Sequence, residues 1–294
     1  MKPLATHGRF AYRPIRGRAR HDWPNGTRLA LYIGFNVEHF AFGEGLGARL
    51  VPPAAGVDVL NYGWREWGNR VGAWRCLDLF ESLGVTVAAI VNSAICAHAP
   101  ALIDAFVARG DEIVAHGRSN AEAQGGLAED DERALLLDCR AELLRATGSA
   151  PLGWLSPWIS ESASTCDLLV ETGYRYTLNW CHDDQPTRLA TRAGPLWSIP
   201  YPQETNDIPM IVARQMTGTD FATMLVDHFD EMLEQSQDAP LVMGIALHPY
   251  LVGQPHRLRP LRRALQHLAA SKATWWTTPG RICDAVELIA PPSA

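Results

Sequence analysis

The sequence is short of the patterns that mark several protein classes. Its 294 residues include six cysteines but no CxxC pair, which argues against a zinc-thiolate knot or a redox motif and favours buried, reduced thiols. No run of about eighteen apolar residues is present to span a membrane, and the basic stretch at 9–20 is too polar for a signal peptide. The net charge of -6 gives no general attraction to nucleic acid. We therefore expect a soluble cytoplasmic protein with neither a membrane nor nucleic acid as a partner.

A dinucleotide cofactor is not predicted either. The glycine-rich residues 43–47 (GEGLG) follow a strand but lack the GxGxxG spacing, and no amphipathic helix begins there to receive a pyrophosphate. No repeat of fixed period and no low-complexity tract divides the chain. A single domain is therefore the simplest organisation.

What is present is an alternation of short apolar strands with amphipathic helices. Strands are predicted at 29–35, 85–91, 112–115, 152–155 and 241–247, and helices at 71–82, 101–109 and 130–147, the last two followed by glycine. Such alternation predicts a parallel sheet with right-handed crossovers, either a doubly wound open sheet or a barrel.

The placement of polar residues favours the barrel. Glu38, His39, His116, Ser156 and His248 each follow the carboxyl end of a predicted strand, and in a barrel those ends meet on one face. We therefore predict an α/β fold, a distorted (β/α) barrel of about seven parallel strands. The barrel spans residues 23–294 behind an N-terminal arm at 1–22, and the Gly- and Pro-rich stretch 40–72 is predicted to be a long ordered loop over one face.

Side chains that meet on that face could carry out acid-base chemistry. Glu38 is a candidate general base and His248 a candidate general acid, while His39 and His116 could act as metal ligands or hydrogen-bond donors. A single histidine after a strand is more often a hydrogen-bonded structural residue, and Glu38 could instead cap a loop.

Three segments resemble the motifs of a known family, the polysaccharide deacetylases of the NodB-homology superfamily. Residues 36–39 (NVEH) resemble the first motif, in which two consecutive acids supply the catalytic base and a metal ligand. Residues 110–120 (GDEIVAHGRSN) resemble the second motif, in which two histidines four apart bind the metal. Residues 246–249 (ALHP) resemble the last motif, whose histidine protonates the leaving group.

Two departures separate the chain from that pattern. Asn120 stands where the second metal-binding histidine belongs, and His39 stands where the acidic ligand belongs, so the usual Asp-His-His site is not intact. This pattern resembles the allantoinase-like, metal-poor branch, which also matches at 153–154, 180–186, 206–207 and 247–255. The branch carries a second acid where His39 stands and aromatic residues at the positions of 118–120. Because of these differences, the substrate could differ from allantoin.

Five residues are predicted to contact the substrate. Arg118 could recognise a carboxylate or carbonyl group, or only tie down its loop by pairing with an acid such as Glu122. Trp158 and Trp180 could line a pocket or close the core. His39 and Asn120 complete the set.

The resemblance implies a hydrolase of non-peptide carbon-nitrogen bonds, and three hypotheses remain open. In the first, a small amide, imide or ureide is cleaved with no metal or an atypical one: Glu38 activates water, His116 and His39 orient it or polarise the carbonyl, and His248 protonates the leaving nitrogen. The second is a metal-dependent deacetylase of N-acetylated sugars, with a divalent ion such as zinc at His39 and His116. The third is a ligand-binding member without catalysis. A homo-oligomer is compatible with all three.

Overall fold

The fold is organised around one long central strand. In the computed structural model, which describes residues 5–53 and 55–289, β1 (Leu29–Val37) is buried over its whole length. A strand covered on both faces is expected to read as a nearly continuous apolar run. The other strands are β2 (Ala88–Val91), β3 (Glu112–Ala115), β4 (Gly153–Trp154), β5 (Tyr176–Thr177), β6 (Thr187–Leu189), β7 (Leu196–Ser198), β8 (Leu241–Leu247) and β9 (Thr274–Trp276).

The strands form a curled sheet in the order β6-β7-β5-β4-β3-β2-β1-β8. All neighbours are parallel except β6 and β7, and β9 pairs with the first half of β1 where β2 pairs with its second half. At the far end, the amides of Val242 and Ala246 in β8 donate hydrogen bonds to the carbonyl oxygens of Asp184 and Thr205. These bonds bring the two ends of the sheet together, which confirms the predicted distorted barrel.

Alternate residues of β1 pack into two different cores, because side chains alternate between the faces of a strand. Leu31 and Phe35 pack outward against the helices, where Phe35 meets the rings of Phe80 and Phe106. Tyr32 packs inward with side chains of the other strands and donates a hydrogen bond to the carbonyl oxygen of Pro200.

The helices surround the sheet. Their bounds are α1 (Val59–Trp67), α2 (Ala73–Ser82), α3 (Ile95–His98), α4 (Pro100–Arg109), α5 (Glu129–Thr147), α6 (Thr165–Glu171), α7 (Gly218–Gln235), α8 (Pro249–Val252), α9 (Pro255–Ala269) and α10 (Pro279–Ile289). Gly110 and Gly148 end α4 and α5 in the left-handed conformation, with φ of 72° and 77°, as the glycine signals predict. No helix of the described residues is both long enough and apolar enough to cross a membrane.

The predicted loop at 40–72 is wrong in its second half. Residues 41–53 and 55–58 have no helix or strand, but α1 follows and continues into a π-helical turn, Gly68–Gly72. Asp58 caps α1 by accepting a hydrogen bond from the Asn61 amide. Glycine disfavours helix in isolation, and here tertiary packing outweighs that preference.

An N-terminal segment without helix or strand, residues 5–22, lies against the barrel. Arg9 makes two hydrogen bonds of 2.8 Å to the carboxylate of Asp167, and Arg18 makes two of 2.7 Å to that of Asp183. The division into an arm at 1–22 and a barrel at 23–294 stays a prediction, and its outermost residues, 1–4 and 290–294, lie outside the described residues. All six cysteines are free; four are buried as predicted, whereas Cys96 is half-buried and Cys181 is exposed.

Candidate active site

A cavity of about 570 Å³ opens at the carboxyl ends of the strands. Three side chains that follow β1, β3 and β8 reach it, namely Glu38, His116 and His248. All three are at least nine-tenths buried. The remaining lining residues are Asn36, Phe40, Leu46, Gly47, Ala48, Arg49, Asn120, Leu155, Ser156, Trp158, Ile159, Tyr201, Gln203, Asn206, Ile208, Pro209, Val212 and Tyr250.

The carboxylate of Glu38 is the meeting point of the site. Its Oε1 lies 3.6 Å from Nε2 of His116 and 3.5 Å from Nε2 of His248, and it accepts a hydrogen bond from the side-chain amide of Asn120. Its Oε2 accepts a hydrogen bond of 2.9 Å from the hydroxyl of Tyr250. The carboxylate is therefore held in one orientation with both oxygens engaged.

The neighbouring imidazoles keep Glu38 ionised. Burial alone would raise its pKa, but the positive charge of His248 and the nearness of both imidazoles lower the pKa to about 2. At neutral pH Glu38 is consequently a carboxylate, the form that a general base requires.

His248 is held as a cation by a second carboxylate. Its backbone amide donates a hydrogen bond of 2.7 Å to Oδ2 of Asp207, and its Nδ1 lies 2.6 Å from Oδ1 of the same residue. Burial would lower the pKa of His248, but Asp207 and Glu38 raise it to about 10. Burial raises the pKa of Asp207, opposed by its contact with His248. The side chain of His248 therefore presents a protonated Nε2 to the cavity.

His116 is oriented by a backbone carbonyl. Its Nδ1 lies 2.6 Å from the carbonyl oxygen of Leu155, which can only accept a hydrogen bond, so Nδ1 carries a hydrogen. In the neutral ring the Nε2 facing Glu38 is then an acceptor. Such a nitrogen can accept a hydrogen bond from a water molecule beside the carboxylate.

Two residues of this network have no role assigned from the sequence, although the resemblance includes the match at 206–207. Asp207 lies 41 positions before His248, and no spacing rule connects them. Tyr250 begins the turn after His248, and it reaches Glu38 because α8 packs closely on the π-helical turn. A Cβ on Gly68 would lie 2.8 Å from Cβ of Tyr250, so this approach needs glycine.

Two of the five predicted substrate contacts line the cavity. The side-chain amide of Asn120 donates to Glu38, and its Oδ1 accepts a hydrogen bond of 3.0 Å from Asn92. Trp158 donates from Nε1 to the carbonyl oxygen of Asn120 over 2.9 Å. Trp158 has a φ of 60°, a conformation that costs energy for a residue with a side chain and is concentrated at functional sites.

The other three lie outside the cavity lining. The ring of His39 packs on that of His98, 4.6 Å between centroids, while its backbone is held by Asn92. Arg118 pairs with Glu122 in an exposed position, which is the loop-tying alternative. Trp180 packs among aromatic rings of the N-terminal segment, so it belongs to a structural cluster rather than to the cavity wall.

The metal site that the resemblance implies does not fit these side chains. Both amide atoms of Asn120 are engaged, and the ring of His39 lies against His98, so only His116 of the three expected positions offers a free donor to the cavity. Among the described residues, no group of three or more His, Cys, Asp or Glu side chains is arranged to hold a metal ion.

Comparisons with known proteins agree with the motifs. None of the protein-family models matches the chain. A Schizosaccharomyces pombe protein that carries the name of a polysaccharide deacetylase is 27% identical over 236 residues, which cover 75% of this chain and 74% of that protein.

Two solved structures match nearly the whole chain. PuuE allantoinase superposes with a TM-score of 0.85 at 27% identity, and the match covers 97% of this chain and 100% of the allantoinase chain. A Pseudomonas aeruginosa protein described as a polysaccharide deacetylase also gives a TM-score of 0.85 at 27% identity, with 96% and 99% covered. The barrel is thus shared with both.

Proposed function

Because the chain belongs to the polysaccharide deacetylase superfamily, we propose that it hydrolyses a non-peptide carbon-nitrogen bond in a small amide, imide or ureide. The observation that carries this proposal is the contact of Glu38 with both His116 and His248 at the wall of one cavity. A base, an acceptor that orients water and a protonated acid are the groups that such a hydrolysis requires.

The chemistry begins with a water molecule beside Glu38. Nε2 of His116 accepts one hydrogen bond from the water and orients it, while Glu38 takes a proton as the oxygen attacks the carbonyl carbon. His248 then donates the proton on Nε2 to the leaving nitrogen, and the carbon-nitrogen bond breaks. Asp207 remains ionised and stabilises the imidazolium until that step.

The low pKa of Glu38 is compatible with its role as base because the two proton transfers are coupled. The cation on His248 contributes to lowering the pKa of Glu38 to about 2. When His248 gives its proton to the leaving nitrogen, that positive charge disappears and the proton affinity of Glu38 rises. Each transfer therefore favours the other.

The volume of the cavity supports a small substrate. A volume of about 570 Å³ lies within the range of about 300–1,000 Å³ that is typical of small-molecule sites. PuuE allantoinase carries a name that refers to a cyclic ureide, which is one member of the proposed substrate class.

A metal-dependent deacetylase of N-acetylated sugars is the second candidate. The names of the Schizosaccharomyces pombe and Pseudomonas aeruginosa relatives support it. Against it, His39 and Asn120 do not offer the donors of the family's metal site. A zinc ion would need a different set of ligands around His116. The cytoplasmic location and the homo-oligomer stay predictions.

The deciding experiment is an assay on small substrates with and without a chelator. Allantoin, hydantoins, cyclic imides and N-acetylated chitooligosaccharides would each be tested. We expect hydrolysis of a ureide or imide that survives chelation. We also expect kcat to fall by about 100-fold or more in Glu38→Gln, since general-base catalysis contributes about that factor. Glu122→Gln, on the exposed pair with Arg118, is the matched control.

Either of two results would contradict the first candidate. Hydrolysis that a chelator abolishes and zinc restores would show that the reaction depends on a metal. Acetate release from the oligosaccharides would favour the second candidate. Ligand-induced thermal stabilisation without turnover of any substrate would favour a binding protein.

A further inference from the structure

One side of the cavity carries an arginine that forms no close ion pair among the described residues. Residues 46–49 line this side and end at Arg49, an exposed arginine. No carboxylate oxygen lies within 4.0 Å of its side-chain nitrogens among the described residues. Arg49 is thus available to a ligand in the cavity.

A second arginine lies buried behind the same wall. Arg65 of α1 is 8% exposed, with its guanidinium 4.5 Å above the ring of Phe40. Its Nη1 donates a hydrogen bond of 3.0 Å to the carbonyl oxygen of Ala48, but its Nε is buried without a partner. Within residues 5–53 and 55–289 no carboxylate pairs with it. Burial lowers the pKa of Arg65, opposed by the more distant charges of Asp58 and Glu38.

The Arg65 guanidinium packs directly against Gly47, a residue of the cavity lining. A Cβ placed on Gly47, a lining residue, would lie 1.9 Å from Nη1 of Arg65. Because Gly47 has no side chain, a ligand atom resting on it comes close to the guanidinium. Anchoring the loop through the Ala48 carbonyl would not by itself require a charged group, nor would it satisfy Nε.

The other charged groups at the cavity are gathered around the imidazolium of His248. The carboxylate of Glu38 faces the protonated His248, and Asp207 lies behind that imidazole. Arg49 and Arg65 form no ion pair within 4.0 Å with any of these groups among the described residues. Their charges contribute to lowering the pKa of Asp58, but that carboxylate also lies beyond 4.0 Å, so neither guanidinium is engaged in a close ion pair within the described part of the chain.

We propose that the substrate carries a carboxylate group that pairs with Arg49 and rests on Gly47 in front of Arg65. The substrate class is then a carboxylate-bearing amide, imide or ureide. This inference rests on the proposed function for the bond that is cleaved, while the anion site itself rests on the two arginines.

The test compares binding of two ligands that differ only in charge, carboxymethylhydantoin and its carboxamide. Isothermal titration of the full chain would give Kd for each at low and high ionic strength. We expect the carboxylate to bind about tenfold more tightly or better, as for a charge-assisted hydrogen bond, and we expect salt to reduce the preference.

Arg49→Gln should remove most of the preference, since it removes the charged hydrogen bond to the carboxylate. The matched control Arg145→Gln, at an exposed arginine of α5 outside the cavity lining, should keep the wild-type ratio. Arg65→Met should lower the ratio as well, because it removes the positive charge behind Gly47. If that variant does not fold by circular dichroism, the Arg49 variant decides.

Equal affinities in the wild type, failure to bind either ligand, or an unchanged ratio in Arg49→Gln would overturn the anion site. Turnover separates this proposal from the proposed function. Hydrolysis of the carboxamide with no preference for the anion would leave the hydrolase standing and remove the anion site. Tighter binding of the carboxylate without turnover of either ligand would support the anion site and count against the hydrolase.

Discussion

The proton on His248 depends on two carboxylates that are remote from it in sequence. Asp207 contacts Nδ1 and the backbone amide, and Glu38 lies 3.5 Å from Nε2. Together they raise the pKa of His248 to about 10 against the desolvation that would lower it. The imidazolium is therefore present well above its ordinary titration range, centred near 6.5.

This arrangement predicts a broad pH profile. The base Glu38 is ionised above a pKa of about 2, and the acid His248 is protonated below a pKa of about 10. The plateau of kcat/KM should thus extend below 4.5 and above 6.5, the ordinary values of the two groups. Asp207→Asn removes one anion beside His248, so the alkaline limb should move to lower pH.

The measurement is the profile of kcat/KM in both proteins. Asp104→Asn, an exposed substitution on α4, is the control and should not move either limb. An unchanged alkaline limb in Asp207→Asn would show that His248 is not the acid whose ionisation limits the reaction.

At the scale of elements, the site depends on how closely α8 approaches the π-helical turn. Gly68, Gly72 and Gly253 lie at this contact, and a Cβ on any of them would meet main-chain or side-chain atoms within 2.8 Å. The close approach places Tyr250 against Oε2 of Glu38. Helix packing therefore orients the carboxylate.

Gly68→Ala should displace Tyr250 and lower both activity and stability. The added Cβ would lie 2.8 Å from Cβ and the backbone nitrogen of Tyr250, and overpacking of this kind costs about 1–3 kcal/mol. Gly63→Ala on α1 is the control, since nothing lies within 4 Å of its Cβ and alanine favours helix by about 0.5–1 kcal/mol. Denaturant unfolding and kcat measure the two effects, and equal stability of both variants would contradict the packing argument.

At the scale of the whole molecule, paired charges hold residues 5–22 to the barrel. The side chains of Arg9 and Asp167 are 15% and 9% exposed and make two parallel hydrogen bonds. Arg20 and Asp238, further along the same segment, form a pair that is 68% and 87% exposed. We expect the Arg9–Asp167 pair to stabilise the protein more, because it is largely buried and makes two hydrogen bonds, whereas exposed ion pairs contribute little to stability.

A double-mutant cycle would measure this difference. Arg9→Gln with Asp167→Asn should give a coupling free energy on the order of 1 kcal/mol in denaturant unfolding. The same cycle on Arg20 and Asp238 should give no measurable coupling. Coupling that is absent from the first pair, or equal in both, would mean that these charges do not attach the segment.

The sequence by itself determined the strands β1 to β4 and β8, the helices α2, α4 and α5, and the end of the barrel where polar groups collect. Local features predicted these elements correctly, as in the apolar run of β8 and the glycines that end α4 and α5. Tertiary packing did not change the local structure there. It also indicated Glu38, His116 and His248, because each follows a strand whose carboxyl end must face the same rim.

Only the tertiary structure decided the surroundings of these three residues. Asp207 contacts His248 across 41 residues, Arg65 packs behind the lining residue Gly47, and His39 turns away to pack on His98. Which distant side chains meet depends on the paths of the loops and on close contacts that only glycine, which has no Cβ, allows. The residue types along a single chain do not encode those distances, because the same local sequence is compatible with several loop conformations.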